Sequence, residues 1–338
     1  MRFNKNIFYY PGRRSIIPGS FGSNIYIVKG SDNFKQFMID CGTTAGGMGK
    51  KVLSAMTEDG IDIKKTNAIL ITHSHPDHVQ GINFFKDAIG DIPVYYNKDA
   101  LHTIEYPENV KNEILDEVGS LMKEISKMPV FLLNLGFNFL YGKRKPVSNV
   151  LGLEEHQKIM LNGDDSEYIE VLSTPGHIKS HLAYLVHFSD RDLKILISGD
   201  IISFKESREG ELIPIVSLNN PLSDYEGSIY AYERLLKLDI DALMTSHYGI
   251  YEGREKIKAL LQEALNRVKC YKNSVIEALK ERPMRIPELV TRVITMKKYL
   301  SGYATREGTI YSILKYLQNN GQVELGEDNL HFQLKSSQ

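Results

Sequence analysis

Residues 69–78 read ILITHSHPDH, and this stretch packs four metal-ligating side chains into six residues. A short apolar run leads directly into His73, His75, Asp77 and His78. The apolar run predicts a buried strand, and the polar residues after it predict a loop at the end of that strand. Such a loop can hold a metal ion at the edge of a rigid sheet.

The same arrangement recurs further along the chain. Apolar stretches that predict strands end just before His177, Asp200 and His247. Asp40 also follows a predicted strand, where it is either a turn residue or a hydrogen-bond acceptor behind the ligand loop. A lone histidine is usually structural, whereas ligands after several separate strands are hard to explain as core packing.

The composition is that of an ordinary globular protein. With 42% hydrophobic and 25% charged residues, a chain of 338 residues allows one large domain and a smaller one. No apolar run approaches the length of about 20 residues that a membrane-spanning helix needs. Residues 1–10 are polar and basic, which predicts no secretory signal. The two cysteines, Cys41 and Cys270, exclude a disulfide framework and favour a reduced, cytoplasmic setting.

Residues 1–253 alternate predicted strands and helices. Strands are expected at 24–28, 37–39 and 68–71, and helices at 46–63 and 79–89. This alternation argues for a layered α/β domain.

Residues 100–160 are less regular and predict a mostly helical insertion. Apolar residues at helical spacing predict a helix over 109–127. The stretch PVFLLNLGFNFLY, residues 129–141, is apolar and aromatic, and a basic turn follows at 143–146. Such a stretch is typical of a core or a homodimer interface, and the alternative is a lid or a wall of a substrate pocket.

Residues 254–338 predict a smaller domain with another pattern. Helices are expected over 254–280, from residue 286 and over 304–319, followed by a hairpin of 323–325 with 330–332. Three helices and a hairpin in about eighty residues are the element order of a winged helix-turn-helix.

Charge is distributed unevenly between the two regions. Residues 255–338 carry 14 Lys and Arg against 9 Asp and Glu, a net charge of +5, which leaves −6 on the first 254 residues of a chain whose total is −1. The difference is either ordinary variation between helices or a contact with nucleic acid or another polyanion. A tail that dimerises or caps the active site is a further alternative, because a winged-helix shape does not determine function.

The ligand types predict metal-assisted hydrolysis. His73 and His75 point the same way from an extended loop and can clamp one metal, whereas Asp77 and His78 turn the other way and can begin a second site. Two neighbouring metals would share Asp200, and a water bridging them would lose a proton near neutral pH and attack as hydroxide. Imidazole and carboxylate ligands suit zinc, and also iron or manganese.

At these residues the chain resembles the metallo-β-lactamase superfamily of β-lactamase-like and glyoxalase II-like hydrolases. The residues that match the family's HxHxDH signature and its later ligands are His73, His75, Asp77, His78, His177 in TPGH, Asp200 in SGD and His247 in SHY. The resemblance implies an αββα sandwich, here the catalytic domain 1–253, with the metals at one edge. The tail, 254–338, resembles the winged-helix-like α+β extension of some members.

The family pattern also implies a role for each residue. His73, His75 and His177 would hold the first metal, and Asp77, His78 and His247 the second. Asp200 would lie between the two metals, so that Asp77 and Asp200 would be the catalytic carboxylates. Asp40 would be a buttress, and His181 would stand behind the ligands.

Four hypotheses about function follow. The leading one is a dinuclear hydrolase of a small ester, thioester or lactone, because the net charge is near zero and the 129–141 stretch is apolar. The alternative is an endoribonuclease or other nuclease whose basic tail contacts nucleic acid. A third is a mononuclear iron dioxygenase of the persulfide type that uses His73, His177 and Asp200. The last is a DNA-binding regulator with a ligand-sensing metal domain. None of the four requires a membrane partner.

Overall fold

The structure is a computed structural model, and it describes residues 1–12, 22–106, 108–125, 145–189, 192–207, 209–218, 220–296 and 306–335. The apolar stretch 129–141 lies outside these residues, so its assignment as an interface or a lid stays a prediction. In the part of the chain that is described, no helix combines the length and the apolar character needed to cross a membrane.

The first sheet has six strands that follow one another in chain order. They are β1 Ile7–Tyr10, β2 Ile25–Lys29, β3 Gln36–Ile39, β4 Thr66–Leu70, β5 Val94–Asn97 and β6 Val150–Leu153. Strands β1 to β3 pair antiparallel, whereas β3 to β6 pair parallel. The strand that precedes the ligand loop, β4, therefore lies inside the sheet and not at its edge.

The second sheet also has six strands. They are β7 Lys158–Met160, β8 Tyr168–Ser173, β9 Leu182–Phe188, β10 Leu193–Ile197, β13 Ala242–Met244 and β14 Ile250–Glu252, with a separate ribbon of β11 Ile202–Glu206 and β12 Leu212–Val216 in between. The strand order is β14-β13-β10-β9-β8-β7. Because β10 and β13 run parallel, their carboxyl ends open at the same edge of the sheet.

Strand β4 is apolar on both faces because both faces are covered. Leu70 packs between the two sheets, in a cluster with Tyr184 and Ile197. Ile69 and Ile71 point the opposite way, into the cluster beneath the helices. Side chains alternate along a strand, so a strand buried on both faces has a continuous apolar run.

Helices cover the outer face of each sheet. The first sheet carries α1 Met48–Glu58, α2 Pro76–Val79 and α3 Ile82–Ile89, packed on it through residues such as Met56 and Phe85. The second sheet carries α6 Tyr225–Leu235 and α7 Arg254–Glu281, packed through Tyr232 and Leu261. The layers are helix, sheet, sheet and helix, so the predicted αββα sandwich is confirmed.

The helix predicted over 79–89 begins earlier and is interrupted. It consists of α2 and α3, which are separated at Gly81. A Cβ atom at residue 81 would lie 2.2 Å from the carbonyl oxygen of Cys41, so only glycine allows this close approach.

The predicted insertion 100–160 extends too far at its C-terminal end. Its helical part is α4 His102–Glu105 and α5 Glu108–Ile125. Residues 150–153 and 158–160, however, are β6 and β7, the edge strands of the two sheets. Their apolar stretches, VLGL and KIM, are short and mostly exposed or half-buried, so the sequence does not distinguish them as strands.

The tail has the predicted order of elements. After α7 come α8 Ile286–Met296, α9 Arg306–Asn319 and the hairpin of β15 Val323–Leu325 with β16 Phe332–Leu334. One apolar cluster runs without a break from Leu243 of the second sheet to Leu289 and Ile313 of the tail. The tail therefore packs onto the sandwich through a shared core, whereas its assignment as a winged helix and the domain boundary at 253 stay predictions.

Candidate metal centre

The loop after β4 explains the spacing of the first four candidate ligands. His75 has an extended backbone (φ −64°, ψ 146°) and immediately precedes α2, which begins with Pro76. Proline suits the first turn of a helix because its missing N–H has no partner there. Asp77 and His78 therefore lie on a helical turn, and His73 lies on the extended segment before it.

The other three candidates reach the same edge from the second sheet. His177 follows β8, Asp200 follows β10 and His247 follows β13. The backbone N–H of Leu182 donates to the carbonyl oxygen of Thr72 at 2.8 Å, which joins the two sheets directly beside the ligand loop.

The first group of three consists of histidines. The Nδ1 atom of His75 lies 3.0 Å from Nε2 of His73 and 2.8 Å from Nε2 of His177. All three ligand atoms lie within 4.8 Å of one another. Three imidazole nitrogens that converge on one point are the ligand set of many zinc sites.

The second group lies beside the first and combines a carboxylate with two histidines. The Oδ2 atom of Asp77 lies 3.3 Å from Nε2 of His247 and 3.7 Å from Nε2 of His78. These three ligand atoms also lie within 4.8 Å of one another.

Asp200 lies between the two groups. Its Oδ2 atom is 3.6 Å from Nε2 of His177 in the first group and 3.3 Å from Nε2 of His247 in the second. Its Oδ1 atom is 3.5 Å from Nε2 of His78. A carboxylate in this position has one oxygen atom near ligands of both groups.

Two buried polar atoms in the cluster have no hydrogen-bond partner among the described residues. They are Nε2 of His78 and Oδ1 of Asp200. A buried polar atom without a partner is costly in free energy, and native structures contain few of them. Both atoms can coordinate a cation, so the cluster fits a metal better than it fits a polar core.

Asp40 lies behind the cluster and determines which nitrogen of His78 faces it. The Nδ1–H of His78 donates to Oδ2 of Asp40 at 2.7 Å, and the backbone N–H of Thr72 donates to Oδ1 at 2.8 Å. The lone pair of Nε2 is therefore directed to the centre. This carboxylate–histidine arrangement is typical of metal sites, and it gives Asp40 the position expected of a buttress.

His181 also lies outside the ligand cluster. Its Nε2 atom accepts a hydrogen bond from the backbone N–H of Asp200 at 3.0 Å, so Nδ1 carries the proton and donates to Oγ1 of Thr174 at 2.9 Å. Burial lowers the pKa of His181 well below its usual value, which keeps the ring neutral in this role. His181 thus holds the backbone from which Asp200 projects.

His177 has partners that the sequence did not reveal. Its Nδ1–H donates to the carbonyl oxygen of Ser217 at 3.2 Å, and Nδ2 of Asn220 donates to the carbonyl oxygen of His177 at 2.9 Å. We call residues 217, 218 and 220–223 the His177 loop. It lies 40 residues beyond His177 and has no metal-ligand pattern of its own, so only a turn composition (SLNNP) marked it in the sequence.

Burial and neighbouring charges shift the pKa values of the candidate ligands in different directions. Burial, followed by repulsion from His177, lowers the pKa of His75 to about 3. Burial alone would also lower the pKa of His247, but the carboxylates of Asp200 and Asp77 outweigh it and raise the pKa to about 10. Burial would raise the pKa of Asp200, but His247 and His78 lower it well below its usual range. The carboxyl groups of Asp77 and Asp200 are therefore ionised, which is the form that can ligate a cation.

A cavity of about 770 Å³ lies next to the cluster. Its described lining includes Ser74, which lies between two candidate ligands, and residues 178–180, which follow His177. Residues 97–103, the His177 loop and helices α5, α6 and α9 contribute to the remaining walls. A volume of this size accommodates a small molecule.

The fold and the cluster together define a metallohydrolase of one family. The family model for the metallo-beta-lactamase superfamily matches residues 18–247, which is more than half of the chain. The chain belongs to this superfamily. It is a hydrolase of the metallo-β-lactamase fold, in a family that typically uses divalent metals.

Two curated relatives are similar to this chain in sequence. The probable metallo-hydrolase YqjP of Bacillus subtilis is 21% identical over 271 residues, which cover 77% of this chain and 76% of the relative. The exodeoxyribonuclease WalJ of Streptococcus pneumoniae is 25% identical over 196 residues, which cover 54% of this chain and 63% of the relative. The match to WalJ thus spans less than two thirds of that protein.

Two solved structures have the same fold over nearly the whole chain. A metallo-beta-lactamase family protein from Thermus thermophilus has a TM-score of 0.71 at 16% identity, covering 99% of this chain and 100% of the other. A beta-lactamase domain protein from Burkholderia ambifaria has a TM-score of 0.67 at 15% identity, covering 99% and 94%. At this level of identity the likeness concerns the fold, and it extends over the tail.

The structure brings all seven predicted ligands to one place. Each of them contributes an atom to at least one of the three candidate metal groups. Asp40, His181 and the His177 loop surround these ligands and hold them. The assignment of individual ligands to a first and a second metal stays a prediction.

Proposed function

We propose that this chain is a dinuclear metal-dependent hydrolase of small esters, thioesters or lactones. The observation that carries the proposal is the position of Asp200, whose Oδ2 lies 3.6 Å and 3.3 Å from ligand nitrogens of two separate groups. A mononuclear iron enzyme would need only His73, His177 and Asp200. It would leave Asp77, His247 and the unpaired Nε2 of His78 without a role.

Bound metals would supply the chemistry of metal-assisted hydrolysis, in which the pKa of a water falls and the bond under attack is polarised. The chain's own residues would hold the metals and orient the ligand atoms. Neutral imidazoles of the first group present lone pairs, and Asp40 keeps the proton of His78 on Nδ1, away from the centre. Asp77 and Asp200, the proposed catalytic carboxylates, stay ionised. Zinc, iron and manganese all suit this set of nitrogen and oxygen ligands.

The cavity supports a small substrate. Its described lining carries the carboxylates of Asp99, Glu113, Glu117, Asp224 and Glu226 against few cations. A wall with excess negative charge disfavours a polyanion and accepts a neutral or cationic molecule. A small ester, thioester or lactone matches both the volume and the charge.

A nuclease is the second candidate, because relatives such as WalJ are named exodeoxyribonucleases and because the tail is basic. However, six basic side chains of the tail form ion pairs with carboxylates. They are Arg267, Lys269, Lys280, Arg282, Arg292 and Lys315. Paired cations release fewer counterions on binding phosphates, so they contribute less to affinity for nucleic acid.

The first experiment combines metal analysis of the purified chain with a panel of ester, thioester, lactone and phosphodiester substrates. We expect two metal ions per chain and activity on one of the first three classes. His75→Ala should lower that activity by more than about 100-fold. Mutation of a residue that only supports a metal ligand typically lowers activity by about 10- to 100-fold, and His75→Ala would remove a ligand itself. His156→Ala, at an exposed histidine that belongs to none of the candidate metal groups, is the matched control.

The outcomes separate the candidates. Full activity in His75→Ala would refute the assignment of the metal centre. Cleavage of single-stranded RNA or DNA that is lost in Asp200→Asn would favour the nuclease. One iron per chain, together with oxygen consumption in the presence of a persulfide, would replace the hydrolase by a mononuclear dioxygenase.

A further inference from the structure

The last helix of the tail reaches the loop that holds His177. Oγ1 of Thr309, on α9, donates a hydrogen bond to the carbonyl oxygen of Leu218. One helical turn and a half further along, Nζ of Lys315 donates to the carbonyl oxygen of Pro221 at 3.1 Å. Two side chains from the tail thus bind two backbone carbonyls of the His177 loop, more than 90 residues away in sequence.

The same loop makes the contacts that orient His177. Ser217, which accepts the Nδ1–H of His177, directly precedes Leu218. Asn220, which donates to the carbonyl oxygen of His177, directly precedes Pro221. Ser223 adds hydrogen bonds from Oγ to the carbonyl oxygens of His177 at 3.3 Å and of Ser217 at 3.2 Å. Each carbonyl that the tail binds is therefore one residue from a group that holds the candidate ligand.

The attachment is well packed. Thr309 is buried, and Leu218 is fully buried in the cluster that also contains Ile310 and Ile313 of α9. Lys315 is held on its other side by Glu117 of α5, with Nζ 3.4 Å from Oε1. A buried carbonyl oxygen left without a donor is costly in free energy, so the two hydrogen bonds favour this arrangement of the loop.

We propose that α9 is a positioning element of the first metal group, acting through the His177 loop. Thr309 and Lys315 hold the loop, and the loop fixes the tautomer and direction of His177. Nε2 of His177 is thereby directed at the other candidate ligands of the first group, 2.8 Å from Nδ1 of His75. The tail thereby has a role at the centre without contributing a ligand. This inference rests on the proposed dinuclear centre, since it concerns the affinity of one of the two metals.

The test uses the full chain, Co²⁺ as the probe and a pair of variants at each tail residue. Thr309→Val removes the hydroxyl at nearly constant volume, and Thr309→Ser restores it. Lys315→Met removes the donor, and Lys315→Arg restores one. Lys280→Met is the matched control, because Lys280 pairs with Glu277 on the exposed side of α7.

Two Co²⁺ dissociation constants are measured by competition with a chromophoric chelator, together with the visible spectrum of the bound Co²⁺. His75→Ala and His247→Ala identify which constant and which bands belong to each group. In Thr309→Val and Lys315→Met we expect the first-group constant to weaken about tenfold, the lower end for residues supporting a ligand. Its bands should change, and the second-group constant should stay within about twofold.

Thr309→Ser and Lys315→Arg should recover most of the loss, and Lys280→Met should match the wild type. Thermal unfolding of the metal-free variants separates a local effect from general unfolding. Unchanged first-group binding in both Thr309→Val and Lys315→Met would overturn the inference, as would equal weakening of both metals. A wild-type chain that binds no Co²⁺ would instead overturn the proposed function itself, and the inference with it.

Discussion

Hydrogen bonds of individual residues decide what the candidate centre can bind. Asp40 and the carbonyl oxygen of Ser217 in the His177 loop accept hydrogen bonds from Nδ1–H of His78 and of His177, so the Nε2 atoms of both histidines face the cluster. His181 supports Asp200 by accepting its backbone N–H. The candidate ligands are therefore oriented by a surrounding layer of residues that do not reach the centre themselves.

Gly199 allows a test of the support that His181 gives to Asp200. It has a φ of +55°, and a Cβ atom there would lie 2.5 Å from Nε2 of His181 and 3.0 Å from Cβ of Thr72. Gly199→Ala should therefore displace His181 and Asp200, weaken metal binding by more than about tenfold and destabilise the fold by roughly 2–4 kcal/mol. Chelator competition and urea unfolding measure the two effects.

Gly47→Ala is the control for Gly199→Ala, because residue 47 has a φ of +78° but open space where the Cβ would lie. It carries only the backbone cost of a left-handed alanine, about 1 kcal/mol. If both variants behaved alike, the contact with His181 would have no special importance.

Among the secondary-structure elements, β4 connects the core to the site. It is buried on both faces, it pairs on both sides, and His73 lies three residues beyond its end. A strand held in this way cannot shift its register without exposing a whole face of apolar side chains. The position of the ligand loop is thus determined by the packing of the strand that precedes it.

Leu70→Ala tests this connection. Leu70 is fully buried between the sheets, so its truncation should cost about 2–5 kcal/mol in the free energy of unfolding. Leu151→Ala, at a residue that is 42% exposed on β6 of the same sheet, should stay within about 0.5 kcal/mol. Urea unfolding of the metal-free proteins measures both, and a similar loss in the two variants would contradict the packing described for β4.

Over the whole molecule, the centre lies where two sheets and the tail meet. Ligands come from both sheets, and the cavity beside them has walls from the insertion helix α5 and from α9. Such a centre forms only when the chain is fully folded, because its ligands span residues 73 to 247. Metal binding and global stability are then linked.

Removal of metal should therefore lower the melting temperature of the whole chain. A metal present at 100 times its dissociation constant adds about 2.7 kcal/mol to the stability of the native state. We expect EDTA to abolish this stabilisation in differential scanning calorimetry and added Zn²⁺ to restore it. His75→Ala should be less sensitive to EDTA than the wild type, and an EDTA-independent melting temperature of the metal-loaded wild type would contradict the linkage.

The local features of this protein could be predicted from its amino-acid sequence alone. The apolar run of β4, the HSHPDH ligands after it and the ligands after three further strands all depend on neighbouring residues, so pattern and spacing were sufficient. The strand predicted at 37–39 is β3, Gln36–Ile39. Strands β6 and β7 and the ribbon of β11 with β12 were missed, because their apolar stretches are short, partly exposed or, in β12, interrupted by Pro214.

Tertiary structure decided the features that depend on residues far apart in the chain. Asp40 accepts a hydrogen bond from His78 across 38 residues, and the carbonyl oxygen of Ser217 accepts one from His177 across 40. Lys315 donates to the carbonyl oxygen of Pro221 across 94. Sequence patterns report periodicity within one element, whereas these contacts arise because packing brings separate elements together. Residue types and their spacing therefore determined that the chain could bind metal, and only the fold determined which nitrogen atoms face the centre and what holds them there.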